Sequence, residues 1–525
     1  MMKSIVPYIF VYISMLSSFR LSAQDQEPVE RKADVSFQRQ EYARAAALYE
    51  NLLHTHYGKR HAAMLHQRLA TSYRGFNQYG KAAYWYEQVL KDSSAVPADR
   101  LNYADMLKSL GKFAEAREQY LQYPDQQRVA MRIHGCDSAV LWQSLPVRAT
   151  IVNVKGINSS SNDWGAVKYG RQLVFVSDSM RGDMWFVKGS RRRYYRTNTG
   201  FGKIYTAEDL PSGTGYVKDF SPRINNFPYH TGPLCFSANG DTAYVTVTDP
   251  QRRISFNKKE APVYGVRHHD LVLFIKQRGQ WQGPIPFPYN SQEYSTEHAV
   301  LNSAGNILYF TSDRPGGIGA TDIWYCEKNV DNSWGTPQNC GSSINTADEE
   351  AFTVTAPGDR LFFASKGWPG MGGYDVFCTE GSKNHWSAPM NMHLPFNSPG
   401  DDFYYFEDGD GKGFFSSNRE GGAGGDDIYS FSFPPAAPVI PVLAPLLRIP
   451  LQVDICTTSS LCVYLFNKTR GVGWCYVILP PYGEIEAKLE PDANYVLRLH
   501  YANRVDSVEF STKDGVDSVY KKICR

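Results

Sequence analysis

The sequence predicts a multidomain chain: an α-solenoid, then a β-propeller of about five blades, then a small β-sandwich. Three observations support this prediction. Helical segments recur in the N-terminal region at a period of about 34 residues. In the middle, a glycine-rich motif recurs between short β-type runs about every 50 residues. A proline-rich linker, residues 434–450, then precedes alternating apolar and polar runs in residues 451–525.

The N-terminus has the features of a secretory signal. Lys3 precedes an apolar stretch from Ile5 to Phe19, and Ala23 is a small residue of the kind that signal peptidase cleaves after. An apolar stretch of about 15 residues is shorter than the ~20 that span a bilayer, which disfavours a membrane anchor. We therefore expect residues 1–23 to be removed and the protein to reside in the periplasm, peripheral to the outer membrane.

The composition argues against two classes of site. The 55 basic residues nearly balance the 53 acidic ones, whereas nucleic-acid-binding domains usually carry a strong basic excess. There are nine cysteines but no CxxC pair, so a zinc or thioredoxin-like site has no support. An odd count leaves at least one thiol unpaired within the chain, and a local disulfide is expected among the last four cysteines: Cys456, Cys462, Cys475 and Cys524.

Residues 34–145 are poor in Gly and Pro and contain three matching segments. In each segment an aromatic residue is followed by Ala three positions later and Tyr seven positions later, which places the three side chains on one helix face. The segments begin at Tyr42, Tyr79 and Phe113. This region resembles tetratricopeptide repeats, whose paired helices stack into a solenoid. The resemblance implies a concave surface that binds protein partners.

The repeated motif of the middle region is clearest as SDRPGGIGATDIWYCEK, residues 312–328, and it recurs at 365–377 and 417–429. Two looser copies precede these. Glycines allow positive φ where a chain reverses, and an aspartate can accept backbone N–H bonds that fix the turn. Each copy is therefore predicted to be a turn between two blade strands, with a structural aspartate before the second strand: Asp183, Asp270, Asp322, Asp375 and Asp427.

Two chemical interpretations of the glycine-rich stretches are disfavoured. A phosphate-binding loop needs a helix N-terminus after it, and here a strand follows. The stretch from Asp408 to Gly411 is similar to a calcium loop, but its twelfth position is Arg419 instead of Glu. No cofactor, no metal and no catalytic residue is therefore expected.

Apolar runs on both sides of each motif give every unit four short strands, which is typical of β-propeller blades. The last unit ends near Phe433 without an outer strand of its own, and residues Val147 to Asn158 could complete it. Five blades are predicted, with six as the alternative. Over roughly residues 150–433 the repeats resemble the WD40-like propeller family of TolB-like and other bacterial envelope proteins.

The C-terminal region contains Leu489-Glu490-Pro491 followed by Asn494-Tyr495, a pattern that resembles the carboxypeptidase regulatory-like sandwich. The order of the three modules is similar to a family of Gram-negative envelope proteins, several of which work with type IX secretion machinery. Members of that family often end in an OmpA-like peptidoglycan-binding domain, and this sequence has no room for one before Arg525.

These features predict a non-catalytic scaffold or adaptor that binds protein partners in the envelope and not nucleic acid. The sequence has no GxSxG nucleophile elbow and no HExxH, and the stretch after Phe433 is too short for an α/β hydrolase domain. The alternatives are a glycan- or peptidoglycan-binding envelope protein and a propeller-containing hydrolase. The basic run Arg191–Arg193 with Arg196 is predicted to be a solvated loop, and the pair His268-His269 to be ordinary packing.

Overall fold

The fold is described from a computed structural model of the chain. It describes residues 28–144, 147–179, 181, 193–210, 213–248, 266–408, 411–434 and 447–523, except for short gaps at 456–460, 470–471, 479–481, 490–492, 502–503 and 515–518. Three predicted features lie outside these residues: the signal segment, Asp183 and most of the proline-rich linker. The chain forms two compact units, a first unit of Met1–Asp99 with Tyr194–Asn198 and a second unit of Arg100–Arg193 with Thr199–Arg525.

Eight helices form the N-terminal part of the described chain. The small and aromatic residues that define the repeated segments are buried, which is why these segments pair as helices: Ala45, Ala82 and Ala116 are each 0% exposed, as are Tyr86 and Tyr120. The helical region is therefore confirmed. The helices are α1 (Val29–Gln38), α2 (Tyr42–Leu53), α3 (His56–Arg60), α4 (Ala62–Arg74), α5 (Tyr79–Val89), α6 (Pro97–Ser109), α7 (Phe113–Leu121) and α8 (Gln126–Ser144).

Within the first unit, the short segment Tyr194–Asn198 lies at the start of α2. The backbone N–H of Ala43 donates to the carbonyl of Arg196 over 3.0 Å, so one of the free donors at this helix N-terminus is satisfied. The Arg196 guanidinium donates to the carbonyl of Gly75 over 3.1 Å and to the Gln40 side chain over 2.9 Å. The prediction of a solvated loop is therefore wrong for Arg196, while Arg191 and Arg192 lie outside the described residues.

Five antiparallel sheets follow in the second unit, and each is a blade. The first two blades are formed by β2 (Asp163–Tyr169), β3 (Gln172–Ser177), β4 (Lys203–Leu210), β5 (Gly213–Thr214) and β6 (Lys218–Asp219), and by β7 (Thr231–Phe236), β8 (Thr242–Thr248), β9 (His269–Gln277) and β10 (Gln280–Pro286). The third and fourth blades are formed by β11 (Thr296–Leu301), β12 (Ile307–Ser312), β13 (Asp322–Glu327) and β14 (Gln338–Asn339), and by β15 (Glu350–Ala356), β16 (Arg360–Ser365), β17 (Asp375–Ser382), β18 (His385–Trp386) and β19 (Met390–Asn391). The fifth blade joins β20 (Asp402–Glu407), β21 (Lys412–Ser417) and β22 (Asp427–Ser432) to β1 (Thr150–Asn153).

The inner strands of the five blades form a closed ring. β2 contacts β7, β7 contacts β11, β11 contacts β15, β15 contacts β20, and β20 contacts β2 again. This is the radial arrangement of a β-propeller, and it favours five blades over six. The fifth blade is completed from upstream, because Thr150 pairs with Ser432 and Asn153 pairs with Tyr429. The predicted closure by residues 147–158 is therefore confirmed.

A buried asparagine fixes the third strand of every blade. In the fourth blade, Asn397 accepts a 2.7 Å hydrogen bond from the backbone N–H of Val376 and donates one of 2.9 Å to the carbonyl of the same residue. The side chain thus replaces one residue of a neighbouring strand. The same two contacts recur in the other four blades through Asn158, Asn225, Asn290 and Asn345.

We expect Val154→Pro to weaken the closure of the ring. The backbone N–H of Val154 donates to the carbonyl of Ile428 over 3.1 Å, and proline has no N–H to replace it. The substitution removes one of the two hydrogen bonds that the Ile428 carbonyl accepts, the other coming from the Asn158 side chain over 2.8 Å, at a cost of about 0.5–1.5 kcal/mol. Thermal unfolding should show a lower Tm than the wild type. Val152→Thr is the control, because Val152 is 54% exposed and keeps its N–H; an unchanged Tm for Val154→Pro contradicts the prediction.

Two further sheets follow the propeller. A three-stranded sheet contains β23 (Leu447–Ile455), β26 (Tyr482–Leu489) and β29 (Val519–Ile523), and a four-stranded sheet contains β24 (Leu461–Asn467), β25 (Val472–Ile478), β27 (Asn494–Tyr501) and β28 (Arg504–Ser511). The side chains of the four C-terminal cysteines lie outside the description, so the expected disulfide stays a prediction. The other five cysteines are free and buried: Cys136, Cys235, Cys326, Cys340 and Cys378. None of the described helices has the length and apolar character needed to cross a bilayer.

Candidate functional site

Three of the five predicted structural aspartates, Asp322, Asp375 and Asp427, lie at glycine-rich turns and accept hydrogen bonds there. The Asp322 carboxylate accepts hydrogen bonds from the backbone N–H of Ile318 and, over 3.0 Å, from that of Gly319. Asp375 accepts two bonds of 2.9 Å from backbone N–H groups of its own turn. Asp427 accepts the equivalent bonds, and Asp270 is the second residue of β9. The three carboxylates that fix turns are almost fully buried, so they hold backbone and do not face a ligand.

The first blade departs from this pattern. The described strand that pairs with β3 begins at Lys203, and the predicted Asp183 lies outside the described residues. The Lys203 ammonium is buried and donates to the carbonyl of Phe227 over 2.6 Å and to that of Tyr229 over 2.7 Å. It therefore stabilises the loop that leads into the second blade.

A candidate site lies at one end of the central channel, where inner strands begin and second strands end. We call it the channel mouth. In three blades a backbone hydrogen bond of 3.0–3.1 Å connects two residues at this end. The N–H of the residue after the second strand donates to the carbonyl of the residue before the inner strand. These pairs are Asn162 with Asp178, Glu349 with Lys366, and Asp401 with Asn418. The ring thus brings together polar side chains from distant parts of the sequence.

Asp426 lies at the junction of the last and first blades. Its carbonyl accepts a 2.7 Å bond from Asp163, the first residue of β2, and its N–H donates to the Asn162 side chain over 3.0 Å. Burial, together with the charges of Asp401 and Asp178, raises the pKa of the Asp426 carboxyl to about 8. At neutral pH this carboxyl holds a proton.

Glu297, the second residue of β11, has the opposite character. Its carboxylate contacts the Nδ1 atom of His269. Burial acts to raise the pKa of Glu297, but the charges of His269 and His298 lower it to about 2. Glu297 is therefore ionised at neutral pH. The prediction of ordinary packing for the His268-His269 pair missed this contact, because β9 and β11 are brought together only by the ring.

A tyrosine connects two other carboxylates of the channel mouth, Glu349 and Asp401. The Tyr374 hydroxyl donates to Glu349 over 2.7 Å, and the Lys366 ammonium donates to the same carboxylate over 2.6 Å. The backbone N–H of Tyr374 donates to Asp401 over 2.8 Å. Burial and the charges of Glu349, Asp401 and Glu297 raise the pKa of the Tyr374 hydroxyl well above its usual value. Tyr374 therefore joins Glu349 and Asp401 through its hydroxyl and its backbone N–H.

Aromatic side chains fill the floor of the channel. The Trp164 ring lies 6.1 Å from Phe352, 6.0 Å from Phe403 and 6.1 Å from Tyr404, so that three inner strands contribute to one cluster. His298 stacks on Phe352 with 4.4 Å between ring centroids. Trp164 and Phe352 are only partly buried. Partly buried aromatic faces at a channel floor are surfaces on which an apolar or sugar face can stack.

Within the described ranges, no group of three or more His, Cys, Asp or Glu side chains is arranged to hold a metal ion. Carboxyls in such a position, at the channel mouth, can act as acid, base or hydrogen-bonding groups. Two of them have pKa values displaced in opposite directions, Asp426 upward and Glu297 downward. Where two such carboxyls face one ligand, the first can donate a proton and the second can stabilise positive charge.

We expect Asp426→Asn to stabilise the protein above neutral pH. A carboxyl whose pKa is about 8 in the fold, against about 3.9 unfolded, favours the folded state only while it is protonated. That contribution is complete below pH 4 and is lost as the pH rises towards 8. The variant should therefore have a higher Tm than the wild type at pH 8 and an equal Tm near pH 4. Asp359→Asn, in an exposed turn, is the control, and a pH-independent difference for Asp426→Asn would refute the expectation.

No family model matches the chain, and no curated protein matches it. Solved structures similar to it include a xylan β-1,4-xylosidase from Bacillus halodurans, with 12% identity and a TM-score of 0.31 over 71% of this chain and 94% of that one. An α-L-arabinanase from Penicillium chrysogenum has 13% identity and a TM-score of 0.31 over 70% of this chain and 99% of that one. A puromycin-hydrolysing peptidase from Mycobacterium tuberculosis has 10% identity and a TM-score of 0.30 over 68% of this chain, which spans only 55% of the peptidase.

Most of these similar structures are glycoside hydrolases and peptidases, which runs against two expectations, the non-catalytic scaffold and the chain that is not an enzyme. With TM-scores of 0.31 or less, they give this chain no activity of their own. Likenesses of 9–13% identity show the fold alone. The chemistry of this chain is therefore argued from its own side chains.

Proposed function

We propose that the channel mouth binds a glycan and hydrolyses a glycosidic bond. The observation that carries the proposal is that two carboxyls at the same end of the ring, Asp426 and Glu297, have pKa values displaced in opposite directions. Glycosidases use such a pair to break an acetal: one carboxylic acid protonates the leaving oxygen, and one carboxylate acts on the other face of the sugar. Neither a metal nor a serine nucleophile is needed.

Asp426 is the proton donor in this proposal. Its carboxyl is protonated at neutral pH because ionisation would place another negative charge beside Asp401 and Asp178. Protonation of the leaving oxygen produces the Asp426 carboxylate, which an incoming water can reprotonate once the aglycone leaves. A pKa near the working pH serves both steps, since the group must hold a proton and also release it.

Glu297 is the carboxylate partner. His269 keeps it ionised, so it can stabilise the positive charge that develops on the sugar ring or take a proton from the attacking water. Trp164 and Phe352 offer stacking surfaces that would hold the sugar ring in the channel. Tyr374, whose hydroxyl donates to Glu349, would position hydroxyl groups of the sugar.

The direct test is hydrolysis by the purified full chain. The protein would be incubated with xylose, arabinose, glucose and glucosamine oligomers, and new reducing ends would be measured from pH 4 to pH 9. We expect release from at least one of them, with kcat/KM falling above pH 8 as Asp426 loses its proton. If the protein unfolds cooperatively, and is therefore folded, but cleaves none of the four classes of oligomer, the proposal is wrong.

We also propose the finer architectural assignments. Support for tetratricopeptide pairing comes from a repeated contact: Tyr49 donates to Asp34 over 2.7 Å, and Tyr120 donates to Asp105 over 2.6 Å, each across 15 residues. The two C-terminal sheets support a β-sandwich. Export to the periplasm, peripheral association with the outer membrane and envelope protein partners stay predictions, which fractionation of cells and sequencing of the mature N-terminus would test.

A further inference from the structure

One tryptophan closes the central channel directly below the channel mouth. Trp164 is the second residue of β2, in the first blade. Its ring centroid lies 6.4 Å from that of His298 in the third blade and 6.1 Å from that of Phe352 in the fourth, and neither of those blades adjoins the first. Aromatic rings whose centroids are about 4.5–7 Å apart are in contact, so no sugar ring can pass between them. The channel therefore ends in a blind floor.

The floor contains three side chains on strained backbone. His298, Phe352 and Tyr404 each begin the bulge of an inner strand, with φ of 52°, 56° and 56°. The matching bulges of the first two blades begin with Gly165 and Gly232. A residue with a side chain costs about 1–2 kcal/mol in this left-handed conformation, which glycine adopts freely. Three blades thus keep a ring at the floor in spite of backbone strain, which is typical of functional sites.

His298 gives the floor one unsatisfied polar atom. The residue is 8% exposed, and its Nδ1 atom has no hydrogen-bond partner among the described residues. Its ring stacks on Phe352, and burial lowers the pKa of His298 to about 4, so the imidazole is neutral. A buried polar atom without a partner is costly, and a hydroxyl group of a sugar resting on the floor can satisfy it.

The two carboxyls of the proposed hydrolysis begin from backbone beside this floor. Glu297 directly precedes His298 in β11. The backbone N–H of Asp163, which directly precedes Trp164, donates to the carbonyl of Asp426 over 2.7 Å. One residue of a strand spans about 3.3 Å, so there is little depth between these carboxyls and the floor. A sugar that rests on the floor therefore has its glycosidic bond at the level of the two carboxyls.

We propose that the channel accepts only the terminal sugar of a glycan, so that the protein releases monosaccharides from glycan ends, and that Trp164 determines this specificity. The inference rests on the proposed function and names its substrate class. A hydrolase that cleaves inside a glycan needs an open cleft, in which sugars extend on both sides of the bond. Here the floor stops the glycan on one side, and sugars can extend only outward through the channel mouth.

The test compares free hexamers of xylose, arabinose, glucose and glucosamine with the same hexamers carrying a benzyl group at each end. The wild-type full chain is incubated with each, and the products are separated by size. We expect monosaccharide as the first product of a free hexamer. The blocked hexamer of the same sugar should react about 100-fold more slowly, because its bulky ends hold the bond away from the carboxyls. Equal rates on both forms, or early release of dimers to tetramers, would overturn the inference.

Tryptophan fluorescence tests the place of Trp164. Sugar binding should change the fluorescence of the wild type and of Trp386→Phe, whose substitution lies on the outer strand β18, but not that of Trp164→Phe. Phenylalanine keeps an aromatic ring in the cluster. A fluorescence change that survives Trp164→Phe would contradict the assignment of Trp164 to the binding floor. The comparison of free and blocked hexamers needs no variant at all.

Binding separates this inference from the proposed function. Calorimetric titration with the same hexamers should give an affinity at least about tenfold higher for the free form than for the blocked form. That preference without hydrolysis of any hexamer would support the inference and remove the hydrolase proposal alone. Cleavage inside the hexamers would overturn the inference alone. Equal affinities for the two forms, or no binding of either form, would also overturn the inference.

Discussion

Asp426→Asn is expected to lower kcat on an oligosaccharide by roughly 10²–10⁴-fold, which is the usual contribution of a general acid. Asparagine keeps the shape of the side chain, but it has no acidic proton to give to the leaving oxygen. KM should change little, because the wild-type carboxyl is neutral at pH 7 as well. Reducing-end assays on purified wild type, Asp426→Asn and the exposed control Asp359→Asn measure the effect.

The leaving group provides the sharper comparison. An aryl glycoside with an acidic phenol departs without protonation, so Asp426→Asn should cleave it nearly as fast as the wild type. Glu297→Gln should slow both substrates, because a carboxylate on the other face of the sugar is needed in either case. A uniform loss on both substrates for Asp426→Asn would assign it a structural role and contradict the assignment as proton donor.

Asn397→Ala is expected to cause the largest loss of stability. Asn397 is 0% exposed, and its side chain satisfies both the N–H and the carbonyl of Val376. Each buried backbone group left without a partner costs about 1–3 kcal/mol, so the pair amounts to about 2–6 kcal/mol. Thermal and urea unfolding of the full chain would measure the effect. Alanine at the exposed Asn384 is the matched control.

Asn397→Asp separates the two hydrogen bonds. The carboxylate can still accept from the Val376 N–H, but it has no amide to donate to the Val376 carbonyl and would repel it. Its Tm should therefore lie below the wild type at pH 7 and recover in part at pH 4, where the protonated carboxyl can donate. A Tm for Asn397→Ala within one degree of the wild type would show that the asparagine contacts do not stabilise the blade.

The propeller could be predicted because its information is local and repeated. The same turn, the same apolar runs and the same terminal asparagine recur from blade to blade. The last blade lacks an outer strand of its own, which indicates where the first strand must pair. Asn290 is the hardest of the five asparagines to recognise in the sequence, because Tyr289 precedes it where the other blades have Ile or Phe. Lys203 escaped because the connection between β3 and β4 is long enough to contain a second strand-like run around Asp183.

The candidate site could not be predicted in the same way. Asp178, Glu297 and Asp426 lie more than 100 residues apart in sequence, and no spacing rule links them. A serine hydrolase or a zinc protease leaves a short motif because its groups share one turn or one helix. Paired carboxyls for acid–base chemistry need only proximity, and proximity here comes from closing the ring. The raised pKa of Asp426 depends on neighbours from two different blades.

The position of β1 in the sequence also determines when the fifth blade can be completed during synthesis. Asn158 contacts Ile428 across 270 residues of chain, so β1 leaves the ribosome long before its partner β22 exists. The four blades between them can form from short-range contacts during translation. The pairing of β1 with β22 can form only after the last blade has been translated. Contacts this distant in sequence slow folding. A nascent chain stalled before residue 427 would hold four blades and an orphan strand, which is the form that chaperones should recognise.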